Sequence, residues 1–323
     1  MSAGHDHDHD HDHDHPDHSH HHGHGHSHAP AEFNRAFAIG IALNTIFVVI
    51  EGFYGWKINS LALLADAGHN LSDVAGLVLA WGGALAGKLR PDVRHTYGWK
   101  RASILAAFLN ALLLLVAMGS LAWEAVGRLG TPEATDGWTM IAVAGVGIVI
   151  NTATALLFMR GREGDLNIRG AFLHMAADAL VSLGVVIGGA LYLWQGWAWM
   201  DPVLSLAIAV IIVAGTWSLF RQSLHMLFDG VPEDIDLTAV RQRLLALPGV
   251  GEVHDLHVWA MGTSQTALTA HLVLSHALAD VSAVLREAEH ELHEHFNIRH
   301  VTLQVEPPAY APQCRLRSET GCA

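Results

Sequence analysis

The sequence predicts an α-helical multi-pass membrane protein with six transmembrane helices, followed by a small α+β domain. Three observations lead to this fold class. The chain of 323 residues is 51% apolar, with a mean hydropathy of +0.29. Only 15% of its residues are charged, against roughly 25% in soluble domains. Six long apolar stretches follow one another between residues 33 and 224, and the pattern then changes to that of a soluble domain.

The amino-terminal segment, residues 1–30, reads as a tail. It alternates His with Asp and then mixes His with Gly and Ser. No apolar side chain there could build a core, so we expect the segment to be disordered. It lacks the basic region and apolar run of a signal peptide. A flexible tail of this composition is suited to gather metal ions by raising their local concentration.

Six apolar segments make up the predicted transmembrane domain, residues 31–228. Each exceeds the ~20 residues that a helix needs to cross the hydrocarbon core. Several contain Gly and Ala, which let helices pack closely in lipid. The predicted spans are 33–55, 61–87, 103–127, 138–159, 170–194 and 202–224.

The basic residues predict the orientation of these helices. Lys and Arg concentrate in the loops between spans two and three and between spans four and five. The opposite loops hold only Lys57 and Arg128. By the positive-inside rule, both termini and the two basic loops are cytoplasmic. An interfacial aromatic belt is expected on the other side, formed by Trp56, Trp138, Trp194, Trp197 and Trp199.

The segment 229–308 has the pattern of a two-layer α+β domain. Helices are predicted at 236–247 and 279–296, and alternating strands at 253–260, 266–274 and 301–305. We expect His254 and His257 to point to one face of the first strand.

The last residues, 309–323, form a predicted tail that carries both cysteines, Cys314 and Cys322. Two cysteines in the last ten residues cannot form a disulfide framework that stabilises a core. We expect exposed thiols on a frayed tail. A metal-binding pair is the alternative, although seven intervening residues match no strong zinc motif.

Ionisable side chains inside the apolar spans are the central observation. In span two, His69 precedes Asp73 by four residues, and in span five His174 precedes Asp178 by four. That spacing puts both members of a pair on one face of a helix. A charged group at membrane depth costs at least ~2.5 kcal/mol on insertion scales, so such groups normally face a partner or a water path.

Two such pairs facing each other would supply two imidazoles and two carboxylates. That donor set suits tetrahedral Zn²⁺. Asp66, three residues before His69, lies on roughly the same face and could act as a gate or a hydrogen-bond partner. Glu51 and Glu124 lie near span ends, where an interfacial position is expected.

Several motifs resemble the cation diffusion facilitators, specifically their zinc-type bacterial branch. They are ADAGHNLSD, RHTYGWKR, GDLNIRGAFLHMAADALVS and VHDLHVW with TLQVE, and they occur in order between about residues 33 and 307. The resemblance implies a homodimer, six spans and a cytoplasmic ferredoxin-like domain. It also implies metal/proton antiport across a bacterial inner membrane, with the central site at His69, Asp73, His174 and Asp178.

The resemblance extends to metal sites outside the spans. In the soluble domain, His254, His271, His300 and Glu306 match positions that bind a regulatory metal in some relatives. Other relatives have a loop site of one Asp and two His between spans two and three. Here Asp92 and His95 match that pattern, but Trp99 replaces the second His, so we expect loop or interface residues there.

The predicted function is secondary transport: export of Zn²⁺, or Cd²⁺, Co²⁺ or Ni²⁺, in exchange for protons. The manganese branch of the family favours carboxylates, and imidazole favours zinc, copper and nickel. No Walker A sequence is present, so no nucleotide is expected as energy source. The net charge of −13 disfavours nucleic acid. A membrane-embedded metal sensor and a metallohydrolase are the alternatives, but no HExxH or nucleophile motif supports an enzyme.

Overall fold

The computed structural model describes residues 35–87, 89–131, 133–159, 166–276 and 280–314. The predictions for the His/Asp tail, for Cys322 and for the basic loop at 160–165 lie outside these residues. Within them, six long helices precede a small domain that contains a sheet. The predicted order of elements is observed throughout.

The six long helices agree with the predicted spans to within a few residues. They are α1 (Arg35–Lys57), α2 (Leu61–Gly87), α3 (Ala102–Gly130), α4 (Gly137–Met159), α5 (Leu166–Gln195) and α6 (Met200–Leu227). In the described part of the chain, α3, α4, α5 and α6 are long and apolar enough to cross a membrane.

Small residues bring the helices close together, as the sequence predicted. A Cβ atom on Gly147 of α4 would lie 2.6 Å from Cζ of Phe47 on α1. A Cβ atom on Gly188 of α5 would lie 2.0 Å from Cδ1 of Leu204 on α6. Neither position could carry a larger residue without a shift of the neighbouring side chain, so these glycines make room for Phe47 and Leu204 between the helices.

Asp201 ties the start of α6 to the start of α2. Its buried carboxylate accepts hydrogen bonds from Ser60 Oγ at 2.5 Å, from the Leu61 amide at 2.8 Å and from the Ala62 amide at 3.3 Å. The first amides of a helix have no partner within the helix. The side chain of α6 therefore caps α2 and fixes the depth of the residues that follow on α2.

The small domain contains α7 (Leu237–Leu245), β1 (Val250–Gly262), β2 (Gln265–Leu274), α8 (Val281–Phe296) and β3 (His300–Glu306). The sheet has the order β1-β2-β3, antiparallel between β1 and β2 and parallel between β2 and β3. Asp236 and Asp280 cap the two helices, each accepting from two backbone amides. The apolar faces of both helices pack on the sheet in one core.

The domain contacts the membrane helices where α2 connects to α3. The Thr263 amide, in the turn between β1 and β2, donates to Ser103 Oγ at 3.1 Å. Arg101 forms an ion pair with Asp229. The ring of Tyr97 packs edge-on against His300, with centroids 5.3 Å apart. The sheet is thereby linked to the helical part at the loop preceding α3.

Candidate metal centres

The four predicted side chains of spans two and five meet in one cluster, hereafter the central cluster. His69 and Asp73 lie on α2, and His174 and Asp178 on α5. His174 Nε2 lies 3.0 Å from Asp73 Oδ2 and 3.6 Å from Asp178 Oδ2. His69 Nε2 lies 3.5 Å from Asp178 Oδ1 and 3.6 Å from Asp73 Oδ2. Both imidazoles therefore contact both carboxylates.

These separations suit a tetrahedral cation. Zinc bonds of ~2.0–2.2 Å to nitrogen and oxygen place neighbouring ligand atoms of a tetrahedron about 3.3–3.5 Å apart. The nitrogen–oxygen separations in the cluster run from 3.0 to 3.6 Å. His69, His174 and Asp178 each offer a ligand atom within 4.8 Å of the others, and Asp73 joins them through both imidazoles.

The central cluster contains buried polar atoms that have no hydrogen-bond partner among the described residues. The Asp178 side chain is only 2% exposed. Its Oδ2 and His69 Nδ1 are both buried without a hydrogen-bond partner among the described residues. Buried polar atoms usually have partners, so unsatisfied ones need an explanation. Chemically, the cluster offers nitrogen and oxygen ligands without an accompanying nucleophile or HExxH arrangement.

Asp66 lies next to the central cluster but not in it. Its carboxylate is fully buried and accepts a hydrogen bond from Ser182 Oγ at 3.1 Å. The prediction of an interfacial Glu51 is wrong, because this side chain is also fully buried and accepts from Asn70 Nδ2 at 3.3 Å. Glu124 is exposed and pairs with Arg128, as an interfacial residue would.

A second group of candidate ligands, hereafter the domain cluster, lies in the small domain. It comprises His254, His271, Glu306 and Cys314, all buried, each with a ligand atom within 4.8 Å of the others. The two histidines are directly opposite each other on β1 and β2. Glu306 Oε1 lies 2.8 Å from His271 Nδ1, and Cys314 Sγ lies 3.5 Å from the same nitrogen.

The donor set of the domain cluster fits a borderline-soft metal such as Zn²⁺. Imidazole, carboxylate and thiolate are all zinc ligands. Both ring nitrogens of His254 and Oε2 of Glu306 are buried without a hydrogen-bond partner in the described part of the chain. An imidazole and a carboxylate with unsatisfied buried atoms, beside a buried sulfur, are what a metal site needs before its ion binds.

His300 does not belong to the domain cluster, contrary to the sequence prediction. It opens β3 and is exposed, whereas Glu306 ends the same strand. Six residues of strand place the two about 20 Å apart. Their even spacing in the sequence puts His300 and Glu306 on one face of β3, as two ligands of one metal site would require. The distance between them is nevertheless too long for one site.

The expectation of an exposed Cys314 on a frayed tail is also wrong, since this cysteine is 8% exposed. A short 3₁₀ turn, Ala311–Gln313, folds the chain back so that the sulfur reaches His271. The cysteine lies eight residues after Glu306 in sequence, a spacing that matches no metal motif. Only the fold of the turn brings the sulfur to the cluster.

His254 and His257 share a face of β1, as expected, but only because a bulge lies between them. Strict alternation would put residues three apart on opposite faces. Asp255 has a left-handed backbone with φ of 49°, and the pairing of β1 with β2 shifts register there, so that His254 pairs with His271 and His257 with Thr269. His254 is buried in the domain cluster, whereas His257 is exposed and contacts Asp255.

The loop between α2 and α3 uses Asp92 and His95 for local structure. Asp92 Oδ1 accepts from the amides of His95 at 2.6 Å and Arg94 at 2.7 Å. These hydrogen bonds, that from the His95 backbone foremost, hold the pKa of Asp92 below its ordinary value. The His95 ring packs on Trp99 at 4.2 Å. A loop or interface role, as expected from Trp99, agrees with this geometry.

Two family models match the two parts of the chain. The model of the cation efflux transmembrane domain matches residues 37–228. The model of the cytoplasmic domain of cation efflux proteins matches residues 232–308.

Similar proteins align with most of the chain. The metal cation efflux system protein CzcD of Cupriavidus metallidurans is 37% identical over 277 residues, covering 86% of this chain and 88% of its own. The zinc transporter ZitB of Escherichia coli is 36% identical over 285 residues, covering 87% and 89%. The cadmium, cobalt and zinc/H(+)-K(+) antiporter of Bacillus subtilis is 34% identical over 276 residues, covering 84% and 88%.

A solved structure of the metal-bound C-terminal domain of a CzcD transporter is 42% identical in the matched part. It covers 22% of this chain and 99% of its own, with a TM-score of 0.22.

Proposed function

The chain belongs to the cation efflux family, as its resemblance to the cation diffusion facilitators predicted, and on that premise we propose that it exports Zn²⁺ from the cytoplasm in exchange for protons. The family is one of metal cation efflux transporters, not of enzymes. In the proposal, six helices span the bacterial inner membrane, both termini are cytoplasmic, and the small domain is ferredoxin-like. The working unit is a homodimer.

One observation supports the proposed position of the transport site. Two imidazole nitrogens and two carboxylates from α2 and α5 lie 3.0–3.6 Å apart inside the helical domain. Ionisable groups at membrane depth normally line an ion pathway. His69, Asp73, His174 and Asp178 are therefore the proposed Zn²⁺ ligands. The mixed set favours zinc, cadmium, cobalt or nickel over harder cations. The names of the relatives give zinc, cadmium and cobalt.

Proton exchange follows from the chemistry of the same ligands. A metal binds neutral imidazole and ionised carboxylate, so protons and metal compete for the central cluster. When the cluster faces the cytoplasm, zinc displaces protons, and when it faces a more acidic exterior, protons displace zinc. Imidazole titrates nearest cellular pH, so His69 and His174 are the proposed proton carriers.

The domain cluster is the proposed regulatory metal site. His254, His271, Glu306 and Cys314 would hold the ion, which would supply a bond between β1, β2, β3 and the carboxy-terminal turn. The β1–β2 turn donates to Ser103 at the start of α3, so an ion that stiffens the sheet acts on the helical domain through this contact. Regulation requires that the metal bind two conformations of the dimer with different affinity.

The test of substrate identity is flux in vesicles that contain the purified full-length protein. Zn²⁺, Cd²⁺, Co²⁺, Ni²⁺ and Mn²⁺ are compared side by side at equal free concentration. The proposal predicts transport of zinc and exclusion of manganese. Equal rates for zinc and manganese would contradict the proposed imidazole-containing site.

A further inference from the structure

A pair of buried carboxyl groups lies beside the central cluster but is not among its four proposed metal ligands. Glu51 on α1 and Asp66 on α2 are both fully buried. Asn70, which contacts Glu51, lies one helical turn after Asp66 on the same face of α2, so the two carboxyl groups are neighbours. Asn70 donates to Glu51 Oε2 at 3.3 Å, and Ser182 donates to Asp66 Oδ2 at 3.1 Å. We refer to Glu51 and Asp66 as the carboxyl pair.

Two ionised carboxylates are acceptors only, so two neighbouring ones can hydrogen-bond to each other only when one of them carries a proton. Two like charges in one buried site cannot both stay ionised without a cation. Neither Glu51 nor Asp66 has a Lys or Arg partner among the described residues. One further oxygen of each, Glu51 Oε1 and Asp66 Oδ1, is buried without a donor in the described part of the chain.

Among the described side chains, no Lys or Arg of a neighbouring helix pairs with the carboxyl pair. α4, which packs against α1, carries no charged residue. The described part of α5 contributes His174 and Asp178, whose ion pairs lie within the central cluster. Asp201 of α6 is engaged at the start of α2. On α3, Arg128 pairs with Glu124 and donates to Asn59 in the turn between α1 and α2. His69 and Asp73, on α2 itself, face the central cluster.

The carboxyl pair lies about one helical turn from the central cluster, measured along α2 and along α5. Asp66 precedes His69 by three residues on α2, and Ser182 follows Asp178 by four on α5. These spacings correspond to about 5–6 Å along each helix. Both lead toward the end where α1 joins α2. A doubly charged ion in the central cluster would therefore act strongly on a proton held by the pair.

We propose that the Glu51–Asp66 carboxyl pair is a second proton-binding site, which holds one proton while the central cluster is free of metal and releases it when Zn²⁺ binds. This inference rests on the proposed proton exchange. In the release step the O–H bond breaks, the proton leaves to water, and the pair becomes two carboxylates whose extra negative charge the nearby Zn²⁺ offsets. In the return step, zinc leaves and a proton binds between the two carboxyl groups again.

The test counts protons released per Zn²⁺ bound, by calorimetry of the full-length protein in buffers of differing ionisation enthalpy. Glu51→Gln removes the shared proton while keeping a side chain that can hydrogen-bond to Asn70. We expect zinc to bind, because its four ligands are unchanged, with about one proton fewer released than from wild type. Glu51→Asp keeps a carboxyl group and should restore part of that difference. Glu124→Gln, at the exposed ion pair, is the matched control and should release as many protons as wild type.

The outcomes separate this inference from the proposed function. A wild-type protein that releases no protons on binding zinc would contradict the proton exchange itself. A wild type that releases protons, with Glu51→Gln releasing equally many, would overturn the carboxyl pair as a proton site. Loss of zinc binding in both Glu51→Gln and Glu51→Asp would also overturn it, since the residue would then serve the structure of the metal site.

Discussion

His174 Nε2 lies 3.0 Å from Asp73 Oδ2, across the boundary between α5 and α2, and closer than the 3.6 Å to Asp178 on its own helix. His69 likewise lies closer to Asp178 of α5, at 3.5 Å, than to Asp73 of its own helix, at 3.6 Å. Each imidazole therefore contacts a carboxylate of the opposite helix at least as closely as the carboxylate of its own helix. The central cluster depends on the mutual position of α2 and α5, so a movement of one helix past the other would take the ligand set apart.

The first prediction concerns the carboxylates of the central cluster. Asp178→Ala and Asp73→Ala should each abolish zinc flux, because only three of the four protein ligands would then remain to hold the ion. The loss should exceed the roughly 10–100-fold cost of removing an outer-shell partner. The measurement is zinc uptake into vesicles, with gel filtration of the purified variant to show that the fold persists. Glu124→Gln is the control, and wild-type flux in either aspartate variant would contradict the site.

The second prediction concerns metal selectivity. His69→Asp replaces an imidazole by a carboxylate and should shift preference toward harder, oxygen-preferring cations such as Mn²⁺. The measurement is the ratio of manganese to zinc flux in vesicles, compared between wild type and variant. An exposed histidine, His257→Asp, is the matched control. An unchanged ratio in His69→Asp would mean that the imidazole does not select the metal.

The third prediction concerns the domain cluster. Cys314→Ser should weaken metal binding there by at least about tenfold, or ~1.4 kcal/mol, because a hydroxyl replaces a thiolate ligand. With Co²⁺ bound, wild type should show the charge-transfer absorption of a thiolate ligand, and Cys314→Ser should lack it. His300→Ala should keep the band, because His300 lies at the opposite end of β3. Retention of the band in Cys314→Ser would show that Cys314 is not a ligand.

Helices and the central cluster were predictable because each rests on local periodicity. A span is an uninterrupted apolar run, and the His–Asp spacing of four residues places both ligands on one helix face whatever the neighbours do. The pairing of α2 with α5 did not follow from spacing alone. It followed from the cost of leaving two charged faces in lipid, and from the resemblance to a known family.

The features that escaped prediction depend on tertiary structure or on a local irregularity. Glu51 lies six residues before the end of α1, which resembles an interfacial position, yet α2 and α4 pack over this part of α1 and bury it. The bulge at Asp255 puts His257, three residues after His254, on the same face of β1, and nothing in the alternating pattern marks it. Cys314 reaches His271 only because the chain turns at Ala311–Gln313. In each case the residue type is visible in the sequence, but its burial and contacts depend on tertiary structure.

The most direct test of the central claim is a measurement of zinc and proton movement together in vesicles that contain the full-length protein. A zinc gradient is imposed with no initial pH gradient, and the internal pH and zinc concentration are followed at the same time. Exchange predicts that the compartment that loses zinc becomes more acidic, and that Asp178→Ala abolishes both signals. Zinc that crosses through the wild-type protein with no accompanying pH change would contradict the proposed antiport.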